Sequence, residues 1–433
     1  MAVVMVELGR PEVFKLCGVG LGEYNVGNVI VVATAFCGLF TSFNSLQNFE
    51  TSLNKSLGFF SLGILYTCLA LSTFIAPAVV RTLGNRISLC IGAFTYCMFI
   101  AANIHVEAYI LLPVAGIMGV GAGVLWTAQG AHLAQSSDAG QMGKMSGLFF
   151  SIFQINQVTG NLLVAVLLHV GINVHVVIII LTGIALLFSL LLLAVKPTYP
   201  GSLLKAPVVG DDAAAAESLL AQAGSVQDTE AGPDLGLPTL TTRELVLETL
   251  HLFGKLRLQL LILPMFYSGL TQTYYFGIFP RQVDLRMIGW LMACFGSADA
   301  SLSLILGKVS DRIGRRPILF AGAFACVVGV LAANAVAHFD WPSWVMFPAA
   351  VALGAADASY NTQLYAILGS FFPEHREAAF AAFKAVQAGS TGAAFAASQF
   401  ASFFVLSAAL LGSLVLGLIS LVILDLWVRP LSS

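Results

Sequence analysis

Three ionisable side chains stand where the sequence is otherwise apolar: Asp299, Asp357 and Lys384. Each interrupts a run of about 20 mostly apolar residues, the length that crosses a ~30 Å hydrocarbon core as a helix. A charge at a lipid-exposed helix centre costs about 2.5–3.5 kcal/mol on insertion scales, so all three are expected to face protein or water and to pair. Asp357 with Lys384 is the expected pair, because their spans are consecutive; Asp299 is then the freer acid. By helical rise, all three lie roughly 10–15 Å from the same side of the membrane. Two chemistries fit. Either an acid binds a proton or cation while Lys384 takes an anionic group, or the three are fixed bonds that specify helix packing.

Uncharged polar residues extend these positions into stripes. Asp357 and Asn361 are four apart and share a helical face, with Tyr360 and Gln363 in the adjacent row. Lys384, Gln387 and Thr391 fall at i, i+3 and i+7, and Gln154, Gln157 and Asn161 repeat the pattern. Tyr267, Thr271 and Tyr274 do likewise, and Thr41, Trp126 and Gln129 complete the set expected to line a central cavity. The alternative for the glutamines is hydrogen bonding between helices.

The elements that position these residues follow from composition. The 433 residues are 58% hydrophobic and 10% charged, and the mean hydropathy is +0.89. Such a chain has too little polar surface for a water-soluble globule and reads as polytopic in a lipid bilayer. A formal charge of -2, with few and scattered basic residues, argues against nucleic acid as a partner. Spans are expected at roughly 26–46, 57–80, 87–106, 108–133, 145–169 and 173–195, and again at 256–279, 287–308, 317–337, 344–368, 377–398 and 403–427. A six-span bundle over residues 1–195 is thus separated by a linker, 196–255, from a second bundle over 256–433. The linker is expected to be disordered to about Leu240 and to end in an amphipathic helix from Thr242.

Placing both termini and the linker in the cytosol gathers Arg81, Arg86, Lys144, Arg312, Arg315, Arg316 and most other basic residues on that side. Lys55, Arg281 and Arg286 lie opposite, and this bias sets the expected orientation. Which membrane holds the chain is left open. The first residues lack a signal-peptide pattern, so the first span is expected to serve as the insertion signal. Asn54-Lys55-Ser56 is a candidate glycosylation sequon on the non-cytoplasmic side, where His105, His169, His175 and His338 also fall. No metal cluster, phosphate loop or catalytic triad is evident, so neither a cofactor nor an enzymatic activity is expected.

The halves align at an offset of about 230 residues. Gly307-Lys-Val-Ser-Asp311-Arg-Ile-Gly314-Arg315-Arg316 corresponds to Pro77-Ala-Val-Val-Arg81-Thr-Leu-Gly84-Asn85-Arg86. Trp126-Thr-Ala-Gln129 aligns with Tyr360-Asn-Thr-Gln363, Gln154 with Gln387, and Thr41 with Thr271. The GxxxDxxGRR loop between the second and third spans of a half resembles the cytoplasmic signature of the major facilitator superfamily, here with Pro77 and Arg81 replacing Gly and Asp in the first copy. Trp126 to Gly130, Asp357 with Asn361 to Gln363, and Phe383-Lys384 with Gln387 resemble the uncoordinated-93-like branch, above all its major facilitator superfamily domain-containing 11 group.

The resemblance implies an all-α fold of twelve transmembrane helices in two pseudo-symmetric six-helix bundles. It implies a gating role for Gly307, Asp311, Gly314, Arg315 and Arg316. Two functions stay open: a secondary transporter of a small polar or ionic solute working by alternating access, with a proton as candidate coupling ion, and a non-transporting membrane regulator that binds an ion channel or receptor.

Overall fold

The apolar runs form the helices of a computed structural model that describes residues 13–16, 19–136, 142–196, 242–339, 341–372 and 375–427. Two short antiparallel strands, β1 (Val13–Leu16) and β2 (Val19–Glu23), come first. The N-terminal helices are α1 (Tyr24–Leu53), α2 (Lys55–Ser72), α3 (Ala76–Ala102), α4 (Ala108–Gln135), α5 (Met142–Phe153), α6 (Ile155–His169) and α7 (Val174–Leu191). Helix α8 (Thr242–Phe253) ends the linker; residues 197–241 lie outside the described set. Then follow α9 (Leu256–Thr273), α10 (Leu285–Ile313), α11 (Arg315–Phe339), α12 (Met346–Phe371), α13 (Arg376–Ser398) and α14 (Phe403–Trp427).

Several boundaries differ from the sequence expectation, each for a local reason. Helix α1 continues past Leu46 to Leu53, because its polar last turns find partners on α2 and α6. The span expected at 145–169 is broken at Gln154 into α5 and α6. After α9 the chain widens into a π turn, Tyr274–Ile278, before tightening into a 3₁₀ turn, Phe279–Gln282.

Among the described residues, eight helical runs are long and apolar enough to cross a membrane: α1, α2, α3, α4, α5 with α6, α7, α11 and α14. The polar residues gathered on α9, α10, α12 and α13 lower the hydropathy of those four helices. The apolar window of α1 is 72% buried and that of α7 only 28%, so α1 is central and α7 peripheral.

The two copies of the repeated loop share a backbone feature. Gly84 (φ 76°) breaks the α3 run and Gly314 (φ 82°) separates α10 from α11. Both occupy the left-handed region that a side chain disfavours. The residue after each then reaches the end of a neighbouring helix: Asn85 Nδ2 donates to Gln135 Oε1 of α4 (2.8 Å), and Arg315 Nη1 donates to Ser370 Oγ of α12 (2.9 Å).

Within the first half, α3 packs on α4 and α7, α2 on α4, and α1 on α5, α6 and α7. Within the second, α12 packs on α10 and α11, and α9 on α13 and α14. Two seams join the halves, α2 with α13 and α6 with α10. Both rely on close backbone approach: a Cβ at Gly392 would lie 2.8 Å from Thr67 N, and one at Gly289 would lie 2.7 Å from Asn161 O.

Candidate functional site

The acids are brought together by the packing of α10 on α12. Asp299, buried on α10, accepts a bond from Ser303 Oγ one turn on (3.3 Å). Asp357, half-buried on α12, is bonded by Asn361 and lies in the electrostatic field of both Asp299 and Lys384. The expected Asp357–Lys384 ion pair is not formed. Lys384 is exposed, its Nζ donates to Gln387 Oε1 (2.9 Å), and it lies over the rings of Phe383 (5.1 Å) and Tyr365 (5.5 Å). The reason is azimuth: α13 presents its main faces to α2 and α9 instead of to α12.

From Lys384 a bonded chain crosses to α9. Gln387 Nε2 donates to Ser268 Oγ (2.7 Å), and Thr391 Oγ1 donates to Gly269 O (3.1 Å). Thr271 Oγ1 turns back to Ser268 O (2.7 Å). Gln363 is buried and accepts from Ser310 Oγ of α10 (2.8 Å).

Tyr267 and Tyr274, expected to line a shared cavity, pack into the second half. Tyr267 OH donates to Cys326 Sγ of α11 (3.3 Å) and its ring meets Tyr360 at 4.7 Å; Tyr274 OH meets Ser407 Oγ of α14 (3.3 Å). The Tyr360 hydroxyl is buried and has no hydrogen-bond partner among the described residues.

The first half presents amides and hydroxyls. Thr41 Oγ1 meets Thr159 Oγ1 (3.2 Å), Asn44 Nδ2 donates to Asn156 Oδ1 (2.7 Å), and Asn48 Nδ2 donates to Asn161 Oδ1 (2.9 Å). Gln154 is half-buried at the break between α5 and α6. Gln157 backs onto Gly296 of α10, and its Oε1 and the Nε2 of buried Gln129 have no hydrogen-bond partner among the described residues. Trp126 belongs to an aromatic cluster with Phe36 (5.5 Å), Phe40 (5.3 Å) and Phe153 (5.5 Å). In the repeated loop, Arg316 is exposed; the burial of Gly307 and the side chains of Lys308 and Asp311 lie outside the described set.

Three features escaped the sequence reading. The α1–α6 asparagine ladder and the fully buried Glu50 were missed because α1 was ended at Leu46. Their signal was present as polar residues at helical spacing, from Asn44 through Asn48 to Thr51. The third is the amide of Asn54, which donates to Asn103 Oδ1 (2.7 Å) at the α2 entry.

Residues 49–424 match the family described as "Ion channel regulatory protein UNC-93". The chain belongs to the UNC-93 family. Similar relatives within it include the following two. "Protein unc-93 homolog A" of Bos taurus is 30% identical over 428 residues, with 87% of this chain and 88% of that protein aligned. "UNC93-like protein MFSD11" of Xenopus laevis is 28% identical, with 86% and 90% aligned.

Solved structures show the fold to be that of major facilitator transporters. The xylose transporter XylE from E. coli, in a partially occluded inward-open conformation, superposes with a TM-score of 0.65 over 93% of this chain and 99% of that one, at 15% identity. A peptide transporter, POT, in complex with sulfate gives 0.65 over 96% of each chain at 12% identity. This UNC-93 family chain is thus a multi-pass membrane protein with a transporter-like fold, and neither set of relatives is named as an enzyme.

Proposed function

We propose that this UNC-93 family member is a secondary transporter of a small polar or ionic solute, with twelve spans in two six-helix bundles, residues 1–195 and 256–433. The linker of 196–255 and both termini face the cytosol in this reading. The observation that carries it is the packing of α10 on α12, which sets Asp299 and Asp357 on touching helices with the Asp299 backbone against Gly354, while Lys384 is bonded to Gln387 and to no carboxylate. Two acids placed together in a low-dielectric setting call for a proton or cation between them. A lysine held by a glutamine instead of a carboxylate keeps capacity for an anionic group.

Contacts between the halves support one conformation of such a cycle. Thr51 Oγ1 donates to Gly277 O (2.6 Å), the rings of Tyr66 and Phe395 stack at 5.8 Å, and Arg281 lies over Phe59 at 5.0 Å. These gather at one end of the bundle, which the basic-residue bias assigns to the non-cytoplasmic side. That end is shut, as in an inward-facing state.

The family description favours a second reading, a regulator of an ion channel that keeps the fold and does not transport. Thermal unfolding of the purified chain across a solute library and a pH series separates the two. Transport predicts a solute-specific rise in Tm that Asp357→Asn and Lys384→Gln abolish. A flat response in wild type, with both variants merely less stable, would sink the charged binding site and direct attention to membrane partners.

A further inference from the structure

Glu50 is a carboxyl that the paired-acid site does not use. Its side chain is 0% exposed near the end of α1. Oε1 accepts from Ser61 Oγ of α2 (2.7 Å), while Oε2 is buried with no hydrogen-bond partner among the described residues. The charged and titratable groups on the surrounding elements are Lys55 and Tyr66 on α2, His105 and Glu107 after α3, His169 ending α6, Tyr275 and Arg281 after α9, and Asp284 and Arg286 at the start of α10. Lys55, Arg281 and Arg286 are exposed, and none forms an ion pair with Glu50 within 4.0 Å. Tyr66 OH is given to Gln47 Oε1 (3.1 Å) and His105 faces Glu107 (3.9 Å).

A buried carboxylate ion with only the Ser61 hydroxyl and the Asn54 amide beside it and no counter-charge is costly, whereas the protonated acid is neutral and asks less of its surroundings. A metal ion is a poor substitute: hard cations take about six oxygens, and no group of three or more His, Cys, Asp or Glu that could hold a metal occurs among the described residues. The location supplies the second half of the argument. The next residue, Thr51, makes the hydrogen bond to Gly277 between the halves, and Phe59, two positions before Ser61, meets Phe395 (6.4 Å) and lies under Arg281.

We propose that Glu50 is a proton-binding site within the closing contact of the bundle, protonated on Oε2 while that end is shut and giving its proton to water when the end opens. The step moves one proton and breaks no other covalent bond. Because the shut form binds the proton better, low pH favours closure and rising pH favours opening. The proposal rests on the two-ended opening above and is independent of the Asp299–Asp357 pair.

The test uses the full chain in lipid nanodiscs, without solute. pH-difference infrared spectroscopy reads the protonated-carboxyl band, and spin labels at Ser56 and Arg286 read the separation of the halves at this end. In wild type the band is expected to disappear as pH rises and the distance to lengthen with the same midpoint. Glu50→Gln removes both responses, whereas Asp357→Asn keeps the distance response even if it abolishes solute binding. Glu50→Asp retains an acid in place and moves the midpoint, which covers a Gln variant that fails to fold. A Glu50→Gln protein that keeps the wild-type responses, a wild type that shows neither, or an unmoved midpoint in Glu50→Asp overturns the proposal.

Discussion

The contact between Thr51 and Gly277 offers a measurable handle on the proposed two-ended cycle. The π turn of residues 274–278 draws its own backbone bonds out of the usual helical register, with Phe279 N–H returning to Tyr274 O. Gly277 O instead accepts from Thr51 Oγ1 on α1, at 2.6 Å and fully buried. Thr51→Val keeps the shape and deletes the donor. Side-chain hydrogen bonds in membrane proteins average about 0.6 kcal/mol and reach about 1.7, so the shut state should weaken by roughly 3- to 18-fold relative to one in which water serves the carbonyl.

A steric change at the same point should act in the same direction. A Cβ on Gly277 would run into the ring of Phe395, and overpacking of this kind costs about 1–3 kcal/mol. Distance distributions between labels at Ser56 and Arg286 measure the shut fraction directly. Thr51→Val and Gly277→Ala are both expected to raise the long-distance population, Gly277→Ala by more. A Thr51→Val protein of normal Tm whose shut population changes less than twofold would refute the account of this contact as a gate.

Other predictions concern the acids, the sequon and the linker helix. In a double-mutant cycle on Tm, Asp299→Asn and Asp357→Asn should be coupled by about 0.5–3 kcal/mol, as residues sharing one site are; additive effects would mean that the acids do not act together. Glycosidase treatment should leave electrophoretic mobility unchanged, because the Asn54 amide is bonded to Asn103 where α2 begins; a mobility shift abolished by Asn54→Gln would contradict this. Helix α8 packs on α13 through Glu248 and His375, so Glu248→Ala should speed proteolytic cleavage within 242–253 while leaving the bundle intact, and unchanged cleavage would remove that pair from the docking.

The helical rhythm was legible because length and apolarity alone decide whether a run can span a bilayer. The repeated loop was legible because few residues besides glycine tolerate the backbone at Gly84 and Gly314. What hydropathy hides is partnership. Asn48, Glu50 and Thr51 read as a loop, yet α6, α2 and the π turn satisfy them and α1 runs on to Leu53. The same blindness misplaced the pairing of Asp357. Sequence adjacency of α12 and α13 says nothing of azimuth, and α12 spends its contact on α10 and α11. The acid therefore meets Asp299, while Lys384 leans on its own helix through Gln387.

The placement of charge and of close packing bears on why such a bundle would move at all. The two seams, α2 with α13 and α6 with α10, correspond under the duplication, and each brings backbones together at glycine, at Gly392 and at Gly289. At these glycines the approach is steric, against Thr67 and Asn161, so it resists less than a bonded contact when one half pivots on the other. The directional contacts between the halves concentrate toward one end. The bond from Thr51 to Gly277 and the stacked rings of Tyr66 and Phe395 sit at one end, and Asp299, Asp357 and Lys384 lie within the second half alone. In the proposed cycle, a pivot with bonds at its end and charge on one side would have two arrangements that a proton or solute favours differently. A scaffold meant only to present its outer faces to another protein would have no need to leave Lys384 without a carboxylate or Glu50 without a cation.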